Sequence, residues 1–348
     1  MAHPKGNVLL VGSVPLASVE EVFNTCGLLL GNDVASLPDG EVGIRSFWIV
    51  FVAYNTYRGH PSIITLNQPN HGWKPIGIDD FYSFKLKEGL KELRFEKLGY
   101  TEEAIKSYQA FLRARDAGSI AKGVRFQFAF PFPQDATFAF FRDPADHALV
   151  EAAYEEVLAR EIDAIFGVVP PEDLAIQFDV ATDLQEATGE YWAWSRPETV
   201  WERYTNPLHR LGRHVPGKAM LGYHFCYGTF PTKPTVQPKD LALSVKFANA
   251  AIAESGRRVD YVHLTVPIQR DDDSYFKPLE GLKTGDTRVF LGVVNNDGLE
   301  GARRRAQAAR KYLRDFGISA ECGFGRESPG SIPELLKLHR EVADALLK

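Results

Sequence analysis

The chain has 348 residues, of which 45% are hydrophobic and 24% charged, and its formal net charge is -5. That composition suits a soluble globular protein with a large core, and the slightly acidic balance offers no electrostatic footprint for nucleic acid or an anionic membrane. A small molecule is therefore the expected partner, with the oligomeric state left open. Three cysteines, Cys26, Cys226 and Cys322, are too few and too odd for a disulfide framework, so a reducing, cytoplasmic setting is expected. The early apolar stretch Val8 to Val14 lacks a basic leader and reads as a first strand. Phe47 to Tyr54, the longest later apolar run, is far short of the ~20 residues of a membrane helix.

Short apolar or β-branched runs alternate with longer segments of helical periodicity, the pattern that produces a parallel sheet. Strands are predicted at Asn7 to Val14, Asp33 to Leu37, Arg125 to Pro131, Leu174 to Val180, Met220 to Tyr227, Asp260 to Val266, Arg288 to Val294 and Ile318 to Phe324. Helices are predicted at Thr101 to Ala117, Asp146 to Phe166, Lys239 to Ser255 and Gly298 to Phe316, the last capped by Gly317. The stretch Tyr54 to Asp80 is rich in Gly and Pro and reads as a loop excursion on a barrel rim. With no internal repeat and no linker composition, the expected fold class is α/β, a single (β/α)8 TIM barrel over residues 1–348 with rim insertions.

His224 and Cys226 lie two apart in a strand-like run, so both side chains leave the same face. Cys322 belongs to the last strand-like run, and in a closed barrel strand ends converge on one mouth. An imidazole and two thiolates suit Zn2+ and leave one coordination position open. The competing reading makes the same residues two buried cysteines and a satisfied core histidine.

Several segments resemble the catalytic barrel of the cobalamin-independent methionine synthases and related zinc-dependent thiol alkyltransferases, of the superfamily that includes uroporphyrinogen decarboxylase. Val11-Gly12-Ser13-Val14-Pro15 is similar to the family's Gly-Ser-Phe-Pro, and Asp39-Gly40-Glu41 to its His-Gly-Glu. Ile176-Gln177-Phe178-Asp179 resembles Ile-Gln-Ile-Asp, His224-Phe225-Cys226-Tyr227 the zinc-binding His-Met-Cys-Tyr, and Glu321-Cys322-Gly323 the Asp-Cys-Gly that supplies the last cysteine. The resemblance implies zinc on His224, Cys226 and Cys322, and an amino-acid substrate held by Ser13, Glu41 and Asp179.

The pattern also departs from that family. Thr265 stands where a glutamate would complete the zinc shell, and His263, two residues earlier, is open to three readings: ligand, proton shuttle or core residue. The family's acid histidine after the seventh strand is missing, which leaves Asp297 as the candidate acid or base there. Trp48 and Trp192 are candidate aromatic walls of the mouth, and Arg45 is a candidate anion ligand or a solvated side chain. The leading expectation is a zinc-dependent methyl or alkyl transferase acting on a thiol. The alternatives are a zinc-dependent lyase or hydrolase for an oxygenated small molecule, whether aromatic or not, and a closed structural zinc site with His263 as fourth ligand.

Overall fold

A computed structural model describes residues 6–230 and 234–347. Ten strands are formed among the described residues: β1 (Val8–Leu9), β2 (Ser36–Pro38), β3 (Ile63–Asn67), β4 (Ser83–Leu86), β5 (Arg125–Pro131), β6 (Leu174–Val180), β7 (Met220–Phe225), β8 (Tyr261–Leu264), β9 (Arg288–Val294) and β10 (Gly317–Ala320). Eight of them make one parallel sheet in the order β1-β10-β9-β8-β7-β6-β5-β2. A parallel bridge between Val8 and Val34 brings its two ends together, giving the expected α/β barrel. The helices between the strands pack outside, and none among the described residues is long and apolar enough to cross a membrane.

The runs at β5, β6 and β9 match their predicted bounds because both faces are buried there, which makes the sequence a continuous apolar run rather than an alternating one. The outer strands are shorter than predicted. The β1 ladder stops at Leu9, although Ser13 still bridges Gly40, and β10 ends at Ala320, so Cys322 belongs to the following loop rather than to the strand. Cys226 likewise lies one residue past β7. Gly317 is not a helix cap. The preceding helix ends at Arg310, and Gly317 opens β10 where a Cβ would meet the Phe290 ring at 2.4 Å. The excursion after Tyr54 is not all loop either: β3 pairs antiparallel with β4, and the resulting hairpin exposes Ile64 and Leu66.

The register inside the barrel sets up the mouth. Leu9, Ala175, Met220, Tyr261 and Phe290 fill the lower interior. One layer on, Gln177 on β6 and Tyr261 on β8 both register with Gly222 on β7. A Cβ on Gly222 would meet the Tyr261 ring at 2.1 Å, so the missing side chain lets that ring cross the barrel and its hydroxyl donate to Gln177 Oε1 at 3.0 Å. The next layer aligns Asp179, His224 and His263 on three adjacent strands. Polar residues occupy the end of the barrel where the strands finish, the end at which barrel active sites form.

Candidate functional site

The mouth holds a cavity of about 960 Å3 including its open entrance, lined by side chains from the loops after most of the barrel strands. His224, Cys226 and Cys322 line its floor, and their ligand atoms all lie within 4.8 Å of one another. Cys322 Sγ is 3.4 Å from His224 Nε2. Tetrahedral zinc with ordinary Zn–S and Zn–N lengths separates its ligands by about 3.4–3.8 Å, so modest side-chain rotation would close the set around an ion. The thiol of Cys226 is pushed well above its usual range, first by hydrogen bonding with Cys322 and then by burial. A divalent cation would reverse that, because a coordinating thiol is deprotonated.

His263 does not face the cavity. It is fully buried behind His224, with the two Nδ1 atoms 2.7 Å apart and His263 Nε2 3.1 Å from the Ala320 carbonyl. Burial, followed by the neighbouring His224 imidazole, pushes its pKa well below the ordinary 6.5, so it is neutral. A carbonyl only accepts, so His263 Nε2 carries the proton and donates to Ala320, which leaves His263 Nδ1 to accept from His224 Nδ1–H. His224 Nε2 then presents a bare lone pair toward the two sulfurs. Thr265, expected to stand where a fourth ligand would be, spends its hydroxyl on the Glu321 carbonyl at 2.8 Å.

Glu41 and Asp179 also line the cavity, each 6% exposed. Glu41 is held by a short hydrogen bond from Ser13, and its backbone amide donates to Asp39 Oδ1 at 3.1 Å. Its φ of 51° is left-handed, and so is the 28° of Trp48, a strain of order 1–3 kcal/mol at each of two residues that both line the cavity. Burial is the main force raising the Glu41 carboxyl to about 7, opposed by the Ser13 hydrogen bond. Asp179 is raised well above its usual value by burial and then by Glu41. Gln177 donates to Asp179 Oδ1 at 2.7 Å and to the Val11 carbonyl at 2.7 Å, which ties Asp179 to the barrel interior. The Trp48 indole N–H favours the charged form of Asp179 without reaching good hydrogen-bond geometry. Between them the two acids retain a proton at neutral pH.

The walls are aromatic. Trp48 and Trp192 line them, and Trp192 is fixed by its indole N–H donating to Gln185 Oε1 at 3.0 Å. Phe47, Phe81, Phe230 and Arg326 complete the enclosure. Phe81, Phe230 and Arg326 sit in irregular segments with no period to mark them.

Besides His263, two expected site residues lie outside the cavity. Arg45 is 4% exposed and outside the cavity, ion-paired with Asp39 and lying 4.6 Å from the Phe128 ring centroid, so it holds the Glu41 turn rather than a ligand. Asp297 is gripped by the fully buried Arg305 at 2.6 and 2.9 Å, and that guanidinium also lowers its pKa, the reverse of what a neutral-pH acid needs.

No protein-family model matches the sequence, and no curated protein matches it. Solved structures do. A provisionally assigned vitamin-B12 independent methionine synthase from Listeria monocytogenes is similar at 14% identity over 98% of this chain and 99% of its own, with a TM-score of 0.60. A B12-independent methionine synthase from Shewanella sp. W3-18-1, solved with selenomethionine, gives 15% identity, 100% and 98% coverage and a TM-score of 0.58. A methyltransferase from Methanosarcina mazei gives 12%, 97% and 95%, and 0.52. At these identities what the chain shares with all three, along nearly its whole length, is the fold.

Proposed function

We propose that residues 1–348 form one catalytic barrel, a zinc-dependent methyl or alkyl transferase for a small-molecule thiol, related to the cobalamin-independent methionine synthases but not a plain member of them. The observation that carries this reading is the meeting of His224, Cys226 and Cys322, remote in sequence, at the floor of an apolar cavity. The methionine synthase and methyltransferase neighbours support the reaction class. Bound there, zinc would supply a Lewis acid able to keep a substrate thiol deprotonated near neutral pH.

The chain's own residues do the rest. The His263 to His224 hydrogen bond holds the imidazole in the tautomer that offers Nε2 to the cluster. Asp179 and Glu41 receive the polar head of the substrate, and Glu41, with its carboxyl near 7, is the group able to hold or give a proton at working pH. Neither Asp297 nor His263 reaches the cavity, so the leaving-group proton is assigned to Glu41. The aromatic walls exclude water around the reacting sulfur.

The test is metal content and turnover together. The purified protein should carry about one zinc per chain, as one Cys2His set holds one ion, and should methylate at least one of a panel of small thiols from methylcobalamin or methyltetrahydrofolate. Cys322→Ser should lose both properties. Turnover unchanged in Cys322→Ser, or no zinc retained under excess metal, would overturn the proposal.

A further inference from the structure

Three arginines at this end of the barrel are matched to acids: Arg45 to Asp39, Arg203 to Glu151 and Glu186, Arg305 to Asp297. Arg326 is not. It lines the cavity, takes no part in an ion pair among the described residues, and its Nη1 reaches only the neighbouring Gly325 carbonyl at 3.5 Å. Its outer side is exposed, but the guanidinium is not adrift. The Cζ lies 4.6 Å from the Phe47 ring centroid and 5.8 Å from that of Phe230, two rings packed edge to face at 5.0 Å. Contact with ring faces holds a guanidinium in place while leaving its in-plane N–H fork unspent. Lys74, whose ammonium sits 5.8 Å from the same Phe47 ring, adds a second positive charge at this edge.

We propose that Arg326 anchors an oxyanion, carboxylate or phosphate, carried at one end of the substrate. An apolar or aromatic body would lie against Phe47, Phe81 and Phe230, with the reacting end directed at the Cys322 side of the cavity. Arg326 and Cys322 are four residues apart in one loop, and four residues span at most about 14 Å, which limits the ligand to a small molecule. This inference names the substrate class for the transferase reading and rests on that reading for which atom reacts. The anion preference itself does not depend on metal.

Calorimetric titration with three probes of matched shape separates the two proposals: 3-phenylpropionate, its neutral amide, and phenyl phosphate. Measurements run on the protein as purified and again with added zinc. Wild type should bind one or both anions at least about tenfold more tightly than the amide, the scale of one charge-assisted hydrogen bond. Whichever anion is preferred identifies the oxyanion. Arg326→Gln should erase the preference while leaving the amide affinity unchanged, and Arg326→Lys should keep part of it. Equal binding of acid and amide by wild type, or a preference that survives Arg326→Gln, would overturn the anchor. Absence of zinc or of methyl transfer would overturn the function proposed above and leave this result standing.

Discussion

The loops after β2 and β9 each carry an acid at the same end of the barrel, and they treat it in opposite ways. After β2 the chain turns through Gly40 at φ 79° and Glu41 at φ 51°, a path that places the Glu41 carboxyl inside the cavity with a serine hydroxyl as its close partner. Gly40 is required there, since a Cβ would also meet Val22 at 2.7 Å. After β9 the chain enters a helix directly, and Arg305, one face along that helix, folds back to hold Asp297 with two hydrogen bonds and the Val293 and Ile268 carbonyls with two more. One acid is strained, desolvated and proton-retaining; the other is relaxed, ion-paired and charged. Backbone strain and unspent charge mark chemistry, whereas a satisfied pair marks architecture.

The largest effect expected from breaking this contrast is on stability. Asp297→Ala leaves a fully buried guanidinium without its counter-ion, and because Asp297 itself is part exposed the cost is about 3 kcal/mol, the low end for breaking a buried pair. Denaturant unfolding should show that loss, while turnover per folded molecule stays near wild type. A drop in turnover without a drop in stability would return Asp297 to the reaction.

Glu41→Gln should behave the other way round. The amide can still accept from Ser13, so below pH 4.5, where Glu41 is protonated in both the folded and the unfolded chain, unfolding free energy should move by less than about 1 kcal/mol, the scale of one neutral hydrogen bond. Turnover should fall by about 100-fold through lost substrate positioning and proton transfer. If turnover survives, the strained turn after β2 serves something other than catalysis.

His263 tests how far the contrast extends behind the cavity. His263→Leu deletes the acceptor for His224 Nδ1–H and should weaken zinc binding by about 10-fold to 100-fold in a chelator competition. His263→Gln offers both an acceptor for His224 and a donor for Ala320, and should recover most of the affinity. Equal affinities in the two variants would mean that the imidazole needs no such support.

How much of this the sequence carried depends on the distance over which each feature is decided. The barrel is written in local patterns: seven-residue apolar runs at β5, β6 and β9 and the period-two pairing of His224 with Cys226 need no partner to be recognised. The meeting of Cys322 with that pair follows once eight strands are counted. The place of His263 was not legible, because its facing partner comes from strand register: it aligns with His224 one strand away, so the two rings meet and His224 alone faces the sulfurs. Asp297 and Arg45 were misassigned because each is decided by a counter-ion, Arg305 and Asp39, that a single loop sequence does not identify. The β3 to β4 hairpin was hidden because its short edge strand lies among Gly and Pro residues.

The two acids also predict opposite pH dependences, the most direct reading of the contrast. Glu41 is raised from 4.5 to about 7, so the folded chain holds its proton more tightly than the unfolded chain does. Its contribution to stability is fully present below pH 4.5 and is lost as pH rises through about 7, at no more than about 1.4 kcal/mol per pH unit for one proton. Asp297 is lowered from 3.8, so its contribution is present above that value and is lost as pH falls through the folded-state pKa. Unfolding free energies measured from pH 3 to 8 should therefore show wild type losing ground to Glu41→Gln between roughly 4.5 and 7. The advantage of wild type over Asp297→Asn should hold across that whole range and shrink only in acid. Asp179 is raised as well, by burial and then by Glu41, and comparing wild type with Glu41→Gln isolates the part that belongs to Glu41. A stability difference between wild type and Glu41→Gln that stays flat from pH 4.5 to 7 would show that Glu41 is ionised throughout, and its assignment as the proton-holding group would fall.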